Sequence, residues 1–111
     1  MSDRFTVALR ADDTPPVMEL IGQIDGDAES ELLAAWGRTA GGRSRVVLDF
    51  SRTEYINSTG LALIVRILAD ARAERSEVHA RGLSDHYREI FEITRLADFL
   101  TLDDDLPVVP A

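Results

Sequence analysis

Helix-patterned and strand-patterned stretches alternate along most of this chain, and few folds accept such a series. Ala28, Leu32, Leu33, Trp36 and Ala40 fall on one helical face, while Glu29, Glu31 and Arg38 fall elsewhere. Gly41-Gly42 ends that stretch. Arg45 to Phe50 follows, and its continuous apolar run Val46-Val47-Leu48 suits a strand covered on both faces. Leu61, Ile64, Val65 and Leu68 then repeat at the i, i+3, i+4, i+7 spacing of a buried helical face that runs to about Arg75. Glu77 to Arg81 reads as a short strand, Ser84 can cap a third helix in which Tyr87, Ile90 and Phe91 share a face, and Phe99 to Leu102 reads as a last strand. Strands that alternate with helices pair in parallel through right-handed crossovers, which packs the helices on a sheet.

The start of the chain differs. Phe5, Val7 and Leu9 alternate with Thr6, Ala8 and Arg10, a period of two. Asp12, Asp13, Thr14, Pro15 and Pro16 form a turn, and Val17 to Ile24 is a second extended run, so the two read as a hairpin. Asp25, Gly26 and Asp27 break it, and Asp25 or Asp27 can cap the first helix. The expected architecture is a single α/β domain over 1–111 with a mixed, mostly parallel β-sheet. Its helices pack on the sheet in the order β-β-α-β-α-β-α-β. A chain of 111 residues suits one domain. Residues 103–111 form an acidic, proline-containing tail with no helical period.

Charge and composition exclude several kinds of function. Twelve basic against 20 acidic residues leave a net charge of −8, whereas a phosphate backbone is held by clustered Lys and Arg, so no direct nucleic-acid partner is expected. With no Cys there is no disulfide framework, thiolate metal site or Cys nucleophile. Met1 to Arg10 lacks the apolar core of a signal peptide, and no run reaches membrane-spanning length, so a cytoplasmic location without membrane insertion is expected.

The stretch YINSTGLALIV, residues 55–65, carries more polar chemistry than a turn needs. Asn57, Ser58 and Thr59 are all competent helix caps, and one cap suffices. They precede Gly60, which weakens a helix by roughly 0.5–1 kcal/mol relative to Ala and leaves the first turn open to a close approach. Free backbone N–H groups and the helix dipole favour negative charge at such a junction, so it can hold a phosphate, bound or covalent.

These residues also resemble a known family. The segment VVLDFSRTEYINSTGLALIV, Val46 to Val65, resembles the signature of the STAS domain of anti-sigma-factor antagonists, in which a strand ending D-x-S is followed by an apolar pair and then D-S-S-G or D-S-T-G. LIGQIDGDAESELLAAW is similar to the family's G-x-[IVL]-D and first helix, with Asp25 in the Asp position. The resemblance implies a non-catalytic partner switch. The unphosphorylated protein binds an anti-sigma factor that is also an ATP-dependent serine kinase; phosphorylation breaks the complex, and a PP2C-type phosphatase resets it. Carried over, the phosphoacceptor is Ser58, and Asp25, Asn57, Ser58, Thr59 and Gly60 form the partner-binding surface. Two departures stand out. Asn57 replaces the commoner Asp, and TLDDDLPVVPA offers no counterpart of the family's last helix. The same resemblance also admits a constitutive subunit of a lipid-transport or stress-sensing assembly, docking a partner without a kinase cycle.

Other candidate sites are weaker. Asn57-Ser58-Thr59 matches the N-glycosylation pattern but lacks a secretory context. His79 and His86 have no metal-ligand spacing, so no metal or cofactor is expected. Asp49 and Ser51 read as turn and cap chemistry, and Asp103 to Asp105 as a solvated charge run. A hydrolase elbow would need Gly where Ile56 stands, so Ser58 is not expected to be a catalytic nucleophile.

Overall fold

The computed structural model describes residues 4–40 and 43–102. Its elements are β1 (Thr6–Arg10), β2 (Val17–Ile24), α1 (Glu29–Ala40), β3 (Arg45–Asp49), β4 (Thr53–Ile56), α2 (Ser58–Ala73), β5 (Glu77–Arg81), α3 (Asp85–Ile93) and β6 (Thr101–Leu102), with 3-10 turns at Gly26–Ala28 and Leu96–Phe99. The expected hairpin is present as antiparallel β1 and β2, and every other pairing is parallel, in the order β1-β2-β3-β5-β6. The mixed, mostly parallel sheet is therefore the one anticipated, with one strand added.

That additional strand is β4. Its first half runs beside Gly22 and its end beside Ile24, so β2 pairs with β3 through Val17–Glu19 and with β4 through Gly22–Ile24. Between the two partners the chain turns at Phe50–Arg52, where the Asp49 carboxylate accepts the Ser51 N–H (2.9 Å). The same carboxylate receives Arg81 Nε (3.3 Å), so the expected turn chemistry at Asp49 doubles as a link between β3 and β5. Thr53 then donates its hydroxyl to the Leu20 carbonyl and aligns β4 on β2.

Val46, Val47 and Leu48 are all fully buried, as their apolar run implied. Val46 and Leu48 join Met18, Leu20, Ile24, Val78 and Ala80 in the main core, against Leu32 and Trp36 of α1 and Ile64 and Ile67 of α2. In α2 the buried stripe is Gly60, Leu63, Ile64, Ile67, Leu68 and Ala71, which corrects the expected one: Leu61 is only partly buried and Val65 is 47% exposed. Apolar residues surround most of this helix, so spacing alone did not select the inward face. In α1, Ala35 and Thr39 are buried beside Leu32, Trp36 and Ala40, and Leu33 is half-buried.

Ser84 caps α3 by accepting the Tyr87 N–H (3.3 Å), and Phe91 meets Phe50 edge to face at 5.8 Å between ring centroids. The expected last strand, Phe99 to Leu102, is shorter than its pattern suggested, because Leu96–Phe99 closes a 3-10 turn and only Thr101 and Leu102 pair with β5. The expectations for Gly41-Gly42 and for residues 103–111 lie outside the described residues.

Candidate functional site

The start of α2 lies at the end of the sheet where β2 and β4 finish side by side. Ile24 is the register partner of Ile56, and the Asn57 N–H donates to the Ile24 carbonyl (3.2 Å). Strand β4 is held from its other side by Tyr87, whose hydroxyl oxygen accepts the Ile56 N–H (2.9 Å). No local pattern in the sequence pointed to Tyr87, since its partner lies on a distant segment.

Of the three possible caps, the structure uses Asn57. Its side-chain oxygen accepts the Gly60 N–H at 2.8 Å, and its carbonyl accepts the first helical bond from Leu61 at 2.9 Å. Ser58 and Thr59 are thereby the first two helical residues, both exposed, with backbone N–H groups that have no acceptor within the helix. An exposed hydroxyl beside free amides at a positive helix end is a favourable place to add negative charge. Asn57→Ala removes the cap and should cost about 1 kcal/mol of stability, read as a lower urea midpoint at unchanged slope.

Gly60 departs from its expected part in the docking surface. It is buried, and a Cβ there would run into the Ile24 carbonyl oxygen and stand 2.7 Å from the carbonyl carbon. The close approach that this glycine permits is made by the chain's own second strand. Gly60 therefore positions the site from beneath and does not line it.

The 25–27 loop flanks the same helix end. Asp25 caps the 3-10 turn by accepting the Asp27 N–H (2.9 Å), and the Thr59 methyl lies 3.6 Å from where a Cβ on Gly26 would be. The structure thus gathers Asp25, Asn57, Ser58 and Thr59 at one end of the sheet. Asp27 is exposed in the 25–27 loop, and Glu54 and Tyr55, the latter 52% exposed, are exposed on β4 just before Asn57 in the chain.

The histidines stand apart from this cluster. His79 is buried in β5 with Nε2 3.3 Å from Glu77, and His86 is exposed against Tyr87. The His79 ring, followed by the Arg45 guanidinium, holds the exposed Glu77 carboxyl below its ordinary range. Among the described residues no group of three or more His, Asp and Glu side chains could hold a metal ion, and no helix is long and apolar enough to cross a membrane.

Comparison with known proteins gives the same fold and places the motif in a family. The family model described as "Mlab, STAS domain" matches residues 7–103. The chain belongs to the STAS domain family. It is 38% identical over 66 residues to BtrV of Bordetella bronchiseptica, covering 60% of this chain and 54% of that protein. It is also 36% identical over 55 residues to the anti-sigma-B factor antagonist of Listeria monocytogenes, covering 50% of this chain and 48% of that protein. The matched stretches thus span about half the length of these two relatives. Among solved structures, an anti-sigma factor antagonist from Mycobacterium paratuberculosis superposes with a TM-score of 0.74 at 26% identity, over 96% of this chain and 92% of that one.

Proposed function

We propose that this STAS domain is a cytoplasmic, non-catalytic anti-sigma-factor antagonist that changes partners through phosphorylation of Ser58. The observation that carries this reading is the division of labour at the start of α2: Asn57 does the capping, and the neighbouring Ser58 is exposed at the first helical position. In this reading the unphosphorylated face formed by Asp25, Asn57, Ser58 and Thr59 docks an anti-sigma factor that is also an ATP-dependent serine kinase. Phosphorylation adds about −1.5 to −2 charge and three acceptor oxygens. Beside Asp25, Asp27 and Glu54, the added charge and bulk oppose a surface matched to a neutral hydroxyl. A PP2C-type phosphatase restores the binding form. The name of the Listeria monocytogenes relative, an anti-sigma-B factor antagonist, supports the choice of partner class.

The direct experiment incubates the protein with its native cell lysate and Mg-ATP, maps phosphopeptides, and repeats this with Ser58→Ala. Phosphate on the peptide containing Ser58, lost in the variant, is expected. No phosphate there, in a lysate that phosphorylates other proteins, would replace the switch with a constitutive docking subunit.

A further inference from the structure

Strand β1 is an open edge of the sheet: it pairs with β2 alone, and among the described residues no strand lies beyond it. Which of its residues turn their main-chain groups outward follows from β2. The Val47 N–H donates to the Pro16 carbonyl, the Gly22 N–H to the Arg52 carbonyl and the Asn57 N–H to the Ile24 carbonyl, so the even-numbered residues from Pro16 onward turn toward β3 and β4. The odd-numbered ones turn the other way, and Val17, Glu19 and Ile21 face Arg10, Ala8 and Thr6 of β1. Val7 and Leu9 therefore point their N–H and C=O groups away from the sheet.

Edge strands are commonly blunted by proline, lysine or a bulge, which keep other chains from pairing with them. β1 has none of these. It contains neither Pro nor Lys, and its register with β2 runs without a shift from Thr6 to Arg10. Its one charged side chain, Arg10, is drawn back across the sheet to Glu19 (3.0 Å). Val7 and Leu9, with Leu33 of α1, stay only partly buried against the core.

We infer that this edge takes a second copy of the chain, β1 against β1, antiparallel about a two-fold axis at Ala8. Val7 of each copy then lies opposite Leu9 of the other, and each pair exchanges two main-chain hydrogen bonds. Charge selects the register. Arg4 and Asp12 are exposed just beyond the two ends of β1, and an axis at Ala8 brings the Arg4 end of one copy to the Asp12 end of the other. An axis at Val7 would instead set Arg4 across from Arg10 of the second copy, and like charges directly opposite are destabilising. Ala8, the smallest side chain of the strand, stands on the axis as a non-hydrogen-bonded pair, the arrangement in which Cα atoms approach to about 4.5 Å. The contact uses the same patch on both copies and so closes at two. None of this rests on the Ser58 reading.

The chain has no Cys, so single cysteines can read the register in the full-length protein. Under mild oxidation, Ala8→Cys is expected to form a disulfide-linked dimer roughly tenfold faster than Thr6→Cys. Two copies of residue 8 stand within disulfide range, whereas two copies of residue 6 are separated by about 13 Å along the strands. Thr6 is the more exposed of the two, so random collision would give the opposite order. Sedimentation of the unmodified protein should show monomer at about 10 µM passing to dimer near about 1 mM, as suits a small contact. Thr6→Cys linking as fast as Ala8→Cys would overturn the inference. So would growth past the dimer, or a protein still monomeric at about 1 mM, which would leave the edge to a strand of another protein.

Discussion

Gly60→Ala is expected to lower the stability of the domain by about 3 kcal/mol and its midpoint of thermal unfolding by roughly 15 °C. Helix propensity argues the opposite way, because alanine inside a helix is favoured over glycine by roughly 0.5–1 kcal/mol. The structure reverses the sign through a contact that propensity does not contain. The added methyl would meet the Ile24 carbonyl, and that carbonyl is fixed by the Asn57 N–H it accepts at 3.2 Å. Moving α2 outward to make room would break this bond and disturb the Asn57 cap. Gly37 is the matched control. It lies exposed in α1 with nothing within 4 Å of a Cβ, so Gly37→Ala should gain about 0.5–1 kcal/mol. Urea titration of the two variants decides the matter, and a Gly60→Ala protein as stable as its parent would remove Ile24 from the account of the site.

The second large effect concerns binding and follows from the proposed function. Protein phosphorylated on Ser58 should bind the kinase recovered from lysate about a hundredfold more weakly than the unmodified protein, a difference of ~3 kcal/mol. Ser58→Ala should bind as the parent does, and Ser58→Glu should fall between them. Folding should be indifferent to the change, since the free Ser58 and Thr59 amides and the helix dipole accept negative charge. Calorimetry with equal melting temperatures and unequal affinities is the expected pattern. Equal affinities of Ser58→Ala and Ser58→Glu for the same partner would sink the switch.

Much of this architecture was legible in the sequence because long, periodic elements announce themselves. The hairpin, the three helices and the buried Val46-Val47-Leu48 strand all follow from hydrophobic spacing and capping residues. β4 did not, for a physical reason: Glu54 and Tyr55 are exposed, only Ile56 is buried, and the strand exists because β2 offers a second edge beyond Gly22. The inward face of α2 was misjudged at Val65 because Leu61, Leu63, Ile64, Val65, Ile67 and Leu68 leave little polar contrast around the helix. At the site, the surplus of capping residues was visible, but which of them caps was not. Gly60 read as an opening toward a ligand, and its reason for being glycine lies on another strand.

The β2 backbone pressed beneath α2 has a consequence for kinetics. The Ile24 carbonyl is in contact with the helix start on one side, and Tyr87 holds the strand that leads into it on the other. If this face docks a partner as proposed, being tied in this way leaves it little disorder to lose when that partner arrives, so the entropic cost of association is small. Encounters should then proceed at rates set by collision and orientation, with differences in affinity expressed mainly in how long each complex lasts.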